Sequence, residues 1–433
     1  MPSLNSPIAN PKPSALKRCL VLLLALLGAG LLIGAGTAAA NSGSIVYIKN
    51  HDVWIANTDG SGQYQVTKTG TADSPWRSPS QADDGTIAAS HNDQIVRMKQ
   101  NGAVLNAINP PPLKNSVSHM VDGVPVKVAI SPNGKLITWA FATYECPVGV
   151  SCGARTVTGY TAADHLTDPS KYGSTFFTDP SWIGNTRTLQ SGGYGSQVNI
   201  HDLGAGEPVH WFDDSDYTEN DTDLSDAELA PDGSRLAAVR GYGNSTHIIW
   251  YTVSGNAKQG PPPAVPTPEC LTGELEGLGG PTWAPDSKSL AWEEPDGVWL
   301  KANIGGACDS PQPKLLIPGG SEPDWGPAKV NPGPRLDDPI SVRQLSLKLK
   351  PALKRGVGFQ VKALGAGTVK LQVLRGKAVV AAGTVKAKKA GWVKVTAKFT
   401  RAGKRKLAKA KKANLTARFR ADGRTGDLTF KLK

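Results

Sequence analysis

Acidic residues almost vanish from the last fifth of the chain. Of 36 Asp and Glu in 433 residues, two lie between Val342 and Lys433, against 26 Lys and Arg in the same stretch. That segment carries a net charge of +24, and the remaining residues carry −12. So sharp a partition argues for two domains with unlike surfaces. Cysteine is scarce as well, at five. No C-x-x-C pair occurs and no histidines are grouped, which excludes the common zinc patterns. The seven histidines (His51, His91, His119, His165, His201, His210 and His247) are scattered, and no H-E-x-x-H spacing occurs. Walker and dinucleotide-type glycine motifs are missing, as is the G-x-S-x-G elbow of α/β-hydrolases. Past residue 34 no apolar run is long enough for a membrane helix.

The chain does have turns, with 48 Gly and 33 Pro against 39% hydrophobic and 19% charged residues. This favours short strands over long helices. SPNG at 131–134, APDG at 230–233 and APDS at 284–287 each follow a short strand (VAI, AEL, PTW) and precede another. Proline sets the second position of a type I turn, Asn or Asp fits the third, and Gly takes the left-handed position closing a bulged hairpin. Ser287 stands where Gly134 and Gly233 stand, so Ser287→Gly is expected to stabilise.

A second phrase alternates with the first: HDVWIANTDGSG, NDQIVRMKQNG, SQVNIHDLGAG, THIIWYTVSG and DGVWLKANIGG. Together they mark units at 75–108, 126–165, 180–212, 226–270 and 281–317. A repeat of that length with about four strands reads as a β-propeller blade. The segment from Ser44 supplies three strands without an opening turn, and EPDWGPA at 322–328 supplies an opening strand with nothing after it. The two fragments complement one another as a sixth blade that closes the ring end to end.

The pattern IVYIKNHDVWIANTDGSGQYQVT followed by SPxG-type turns resembles the TolB-type, WD-like β-propeller repeat of secreted and periplasmic bacterial proteins, over about Ser44 to Pro327. The resemblance implies the fold and leaves the ligand open. It does not extend to the further domain of TolB, nor to the hydrolase domain of prolyl-oligopeptidase-like peptidases that share the repeat.

Lys12, Lys17 and Arg18, then CLVLLLALLGAGLLIG and Ala38-Ala39-Ala40, read as a signal peptide over 1–40, with an uncleaved anchor as the alternative. The rest is then expected outside the cytoplasmic membrane, secreted or envelope-associated. In that compartment four cysteines allow three pairings. Cys146 and Cys152 bracket a short loop and pair most naturally with each other, leaving Cys270 with Cys308.

Residues 328–341 read as a linker. Beyond them period-two alternation recurs. It appears at Leu345, Leu347 and Leu349, at Val369, Leu371 and Val373, at Val393, Val395 and Phe399, at Leu415, Ala417 and Phe419, and at Leu428, Phe430 and Leu432. At least six strands follow from it, as in a small immunoglobulin-like β-sandwich over 342–433. The phrase Thr400-Arg401-Ala402-Gly403-Lys404-Arg405-Lys406-Leu407 resembles a T-x-A-G-x-x-x-L motif in C-terminal immunoglobulin-like modules of secreted actinobacterial proteins. Thr400 is expected to start a short helical turn there.

Candidate sites are few. The cluster Lys404, Arg405, Lys406, Lys409, Lys411 and Lys412 is the densest charge in the chain and fits an anionic polymer. In the acidic stretch 213–226, Asp214, Asp216, Asp221 and Asp223 could collect calcium, although the EF-hand glycine and glutamate are missing. Ten of eleven tryptophans lie in the repeats, with Trp76, Trp182, Trp283 and Trp325 at matching places before the turns. Regular placement favours packing between blades over a sugar- or base-stacking platform. No set of inward carboxylates and histidines is evident at the inner strands. The reading is therefore an all-β chain acting as a secreted, non-enzymatic binding or scaffold protein of the cell envelope, monomeric and without cofactors. Its propeller face would bind a protein or glycan, and its basic module an anionic envelope polymer rather than specific nucleic acid. A calcium-dependent hydrolase or lyase using the propeller channel is the alternative.

Overall fold

A computed structural model describes residues 43–115, 120–145, 153–167, 177–192, 197–217, 222–333, 340–345, 348–364, 366–421 and 423–433. The expected signal peptide and the expected Cys146–Cys152 bond lie outside the described residues.

Six antiparallel sheets form a six-bladed β-propeller. Blade 1 runs outward through Trp76–Gln81, Ile87–His91, Gln94–Met98 and Val104–Ile108. Blade 2 has three strands, Pro125–Ile130, Leu136–Glu145 and Gly153–Ala162. Blades 3, 4 and 5 open on Asp179–Ile183, Leu224–Leu229 and Gly279–Trp283. In blade 6 the inner strand Ser321–Gly326 pairs with Ser44–Lys49, which continues to Asp52–Asn57 and Tyr64–Gln65.

The repeated turn does what its residues require. Gly85, Gly134, Gly233 and Ser287 donate their N–H to the carbonyls of Ala82, Ser131, Ala230 and Ala284 at 2.8–2.9 Å. All four have positive φ, 83°, 68°, 81° and 58°. The residue before each (Asp84, Asn133, Asp232, Asp286) accepts from the N–H two places on, which locks the turn.

Register also corrects one equivalence. Trp182, Trp283 and Trp325 hold the same place before their turns, but Gln81 fills it in blade 1. Trp76 instead opens its strand opposite His91 and stacks on that ring at 4.3 Å. The turn Ala82–Gly85, rather than the spacing of tryptophans, sets the alignment. Trp182 and Trp283 each donate their indole N–H to the preceding blade, to the carbonyls of Ala129 and Glu228 at 3.0 Å.

Apolar clusters fill the layers between blades, except between blades 2 and 3 among the described residues. Leu189 and Ile200 pack toward blade 4. The opposite face of the same strands buries Thr188, Gln190, Asn199 and His201. By strand alternation that polar face points at blade 2.

Residues 342–433 form one curled seven-stranded sheet. Its spatial order is Val342–Gln344, Val357–Ala363, Gly391–Phe399, Ala378–Ala387, Gly367–Arg375, Ala413–Ala421 and Arg424–Leu432. Phe359 meets Phe419 and Phe430 edge-on at 5.2 Å inside the curl. Of the leucine alternation at 345–349, Leu349 begins the helix Leu349–Arg355 and is buried there, and Leu347 lies outside the described residues. Thr400 caps the helix Arg401–Leu407 by accepting from Gly403 N–H at 2.9 Å. Gly403 is required for close approach, because a Cβ there would fall 2.2 Å from the Val380 carbonyl oxygen. The first residues of the expected linker are held against the propeller. Ala328 and Lys329 carbonyls accept from Ser44 and Gln100, and Asn331 N–H donates to Gln100 at 2.6 Å.

Ser287 alters the expectation drawn from its turn. It is 3% exposed, and its Oγ accepts Asp232 N–H from the neighbouring blade at 3.0 Å. Glycine would relieve about 1 kcal/mol of left-handed strain and forfeit about 1 kcal/mol of hydrogen bond. We therefore expect Ser287→Gly to leave stability within about 0.5 kcal/mol of the parent in urea melts. Clear stabilisation would mean that the inter-blade bond contributes nothing.

Candidate functional site

Each inner strand presents its channel edge without a further strand to pair with. Aligned on their turns, the six strands place two side chains at equivalent channel positions. At the first stand Ser78, Lys127, Asp179, Asp226, Gly280 and Glu322, and at the second Ser80, Ala129, Ser181, Glu228, Thr282 and Asp324. The first position is a bulge in four blades, with φ of 46° at Ser78, 48° at Asp226, 49° at Gly280 and 49° at Glu322. Register slips at the same points. The bulge aims the next residues inward.

Eight of these positions accept N–H groups from the next blade, whereas Lys127, Ala129 and Gly280 have no side-chain acceptor and Ser181 donates to the Ala227 carbonyl at 2.6 Å. At the second position, Ser80 accepts from Ile130 (3.2 Å), Glu228 from Trp283 (2.9 Å), Thr282 from Trp325 (3.0 Å) and Asp324 from Gln81 (2.7 Å). At the first, Ser78 accepts from Val128 (2.7 Å), Asp179 from Asp226 (3.3 Å), Asp226 from Gly280 (3.1 Å) and Glu322 from Ser78. Glu293 reaches across to accept Glu322 N–H at 2.8 Å.

The inward carboxylates that the sequence reading did not find are therefore present. Lys127 is the cation among Asp179, Asp226, Glu228, Glu293, Glu322 and Asp324. Its Nζ lies 2.5 Å from Asp226 and 3.9 Å from Asp179. Burial opposes its charge, but Asp226 and Asp179 outweigh that and hold it above the ordinary lysine range. So held, it keeps its positive charge among these carboxylates. Burial would raise Asp226, yet Lys127 wins and holds it below the usual carboxylate range. Burial, then the Asp226 charge, pushes Asp179 up to about 6. Burial, reinforced by Asp324, pushes Glu228 up to about 8. Burial pushes Asp324 up to about 7 and raises Glu322 and Glu293.

The channel has two chambers sharing Ser80, Glu228 and Asp324. One of about 110 Å³ holds the Lys127 cluster; one of about 400 Å³ opens on the turn side, beside Trp182 and Pro285. Among the described residues, no three His, Cys, Asp or Glu converge on a metal position. In the acidic stretch, both oxygens of Asp214 are taken by Arg240 at 2.7 and 2.8 Å, and Asp216 accepts Asp213 N–H within a one-turn helix. Asp221 lies outside the described residues. Cys270 and Cys308 are bonded, with Cα atoms 5.6 Å apart. Lys404, Arg405, Lys406, Lys409, Lys411 and Lys412 are all exposed. Where the basic sheet does pair a charge, Arg418 meets Asp427 at 2.8 Å.

No family model and no curated protein matches the chain. Solved structures do. The propeller domain of Cps50 (Swd1) from Myceliophteria thermophila is 11% identical, with TM-score 0.36, covering 59% of this chain and 93% of that one. A candidate 6-phosphogluconolactonase from Bacteroides fragilis is 10% identical, with TM-score 0.37, covering 67% and 99%. A candidate gluconolactonase is 12% identical, with TM-score 0.37, covering 58% and 81%. Similarity this low carries no argument about activity, and the fold rests on the blade topology above.

The carboxyl cluster has a consequence for stability. Glu228, Asp324 and Asp179 keep protons in the folded state that the unfolded chain releases near pH 4. The native state thus binds more protons between about pH 4 and 8, so stability falls as pH rises through that window. The melting temperature is expected to decline from pH 5 to pH 8, and Glu228→Gln with Asp324→Asn to remove most of the slope. An unchanged slope in the double variant would refute the assignment.

Proposed function

We propose that the chain is a secreted, non-enzymatic binding protein of the cell envelope. In this reading a propeller closed by its shared sixth blade carries the ligand-binding surface, and the curled basic sheet is an immunoglobulin-like module that attaches to an anionic polymer. One observation carries the reading. Six cations at 404–412 are exposed together, in a segment with 26 basic and two acidic residues. A merely solvated face mixes signs; this one favours polyanions through counterion release. The channel supports the non-enzymatic half. Each of Glu228 and Asp324 gives one oxygen to an inter-blade N–H, and Asp226 pairs with Lys127, so in this reading the channel carboxyls serve first to join the blades.

Binding of the full-length protein to polyphosphate and to polygalacturonate tests this. Log affinity should fall linearly with log salt, with a slope of several units. Changing Lys404, Arg405, Lys406, Lys409, Lys411 and Lys412 to Glu should abolish most of the binding. Failure to bind either polymer at about 50 mM salt, or indifference to the six changes, would contradict the reading.

A further inference from the structure

A separate groove of about 490 Å³ opens on the flank of the propeller between blades 4 and 5. Its floor is aromatic. Trp250 and Trp292 are buried beneath it, and Trp299 is half-buried at its wall. The segment after Gly297–Ala302 forms the far side, with Cys308 tied by its disulfide to Cys270 of blade 4. Size and lining suit a small ligand.

The polar groups carry both signs. Lys301 is 1% exposed; its ammonium donates to the carbonyls of Pro311 at 2.8 Å and Ala307 at 3.4 Å, which leaves one N–H. Glu294 accepts Trp292 Nε1–H at 2.8 Å with one oxygen, which leaves the other. Trp250 is 2% exposed, and its indole N–H has no acceptor among the described residues. An anionic ligand would meet Glu274, Glu294 and Asp309 in the same groove, and a cationic one Lys301. Hydroxyl groups, which both donate and accept, suit such a lining; the C–H face of a sugar ring suits an indole.

We propose that this groove binds a neutral carbohydrate, with a sugar ring against Trp299 and its hydroxyls on Glu294 and Lys301. The proposal rests on the binding-protein reading and names a ligand class for the propeller. It also qualifies the expectation that the tryptophans serve packing alone.

Calorimetry and tryptophan fluorescence of the full-length protein with cellotriose, maltotriose and N,N′,N″-triacetylchitotriose test it. Trigalacturonic acid and the deacetylated chitotriose serve as charged comparisons. At least one neutral trimer should bind, independently of salt. Trp299→Ala and, separately, Glu294→Gln should each weaken that binding about tenfold or more, whereas Trp182→Phe in the channel mouth should leave it unchanged. The glutamine variant keeps the test valid should the alanine variant fold poorly. No binding by any neutral trimer at about 10 mM, tighter binding of a charged trimer, or full affinity in Glu294→Gln would overturn the proposal. Loss of polyanion binding with sugar binding intact would fault the anchoring module alone.

Discussion

Every blade of this propeller ends at the channel in a strand edge whose N–H groups have no strand to donate to. Buried or half-buried amides left so would each cost about 1–3 kcal/mol. At five of the six blade junctions the chain solves this with side chains from the neighbouring blade, serine and threonine where a hydroxyl reaches and aspartate and glutamate elsewhere; between blades 2 and 3 Lys127 and Ala129 stand at these positions, and the Trp182 indole N–H bonds the Ala129 carbonyl instead. The acceptors sit inward because the strand alternates and because a left-handed bulge precedes them. Acidity in the channel is therefore first a matter of closing the ring. Lys127 and the raised carboxyls follow from crowding those acceptors into a narrow space.

The same device spans the chain's two ends. Glu322 and Asp324, from the last propeller strand, accept from Ser78 and Gln81 of blade 1, and Ser44 lies beside Gln81 at 3.1 Å. Gln81, in the place that tryptophan holds in blades 3, 5 and 6, is polar because it must also donate to the Ser44 carbonyl, at 2.8 Å. Apolar packing does the rest between most blades. The layer between blades 2 and 3 buries amides and hydroxyls instead, so its cohesion depends more on hydrogen bonds.

Much of this was legible in the sequence. The turn phrases fixed the hairpins because Pro, Asp and Gly each have a backbone reason to be there, and five units emerged within a few residues of their blades. The channel residues were legible only after alignment: SPSQ, KVAI, DPSW, DAEL, GPTW and EPDW share an inward first and third position. They were missed because the acceptor changes identity from blade to blade, so no fixed motif repeats. Trp76 misled by proximity to its turn. Leu349 misled because so short an alternation cannot separate a strand from a helix start. The flank groove left no linear signal, since a disulfide and four strands assemble it.

Amide hydrogen exchange on the inner strands tests the central claim most directly. If side-chain acceptors close the channel edge, the N–H groups of Gln81, Trp283 and Trp325 should exchange only with global unfolding, as slowly as amides paired within the blades. Rapid exchange at these three, with the adjoining strands still protected, would show an open edge and contradict the account.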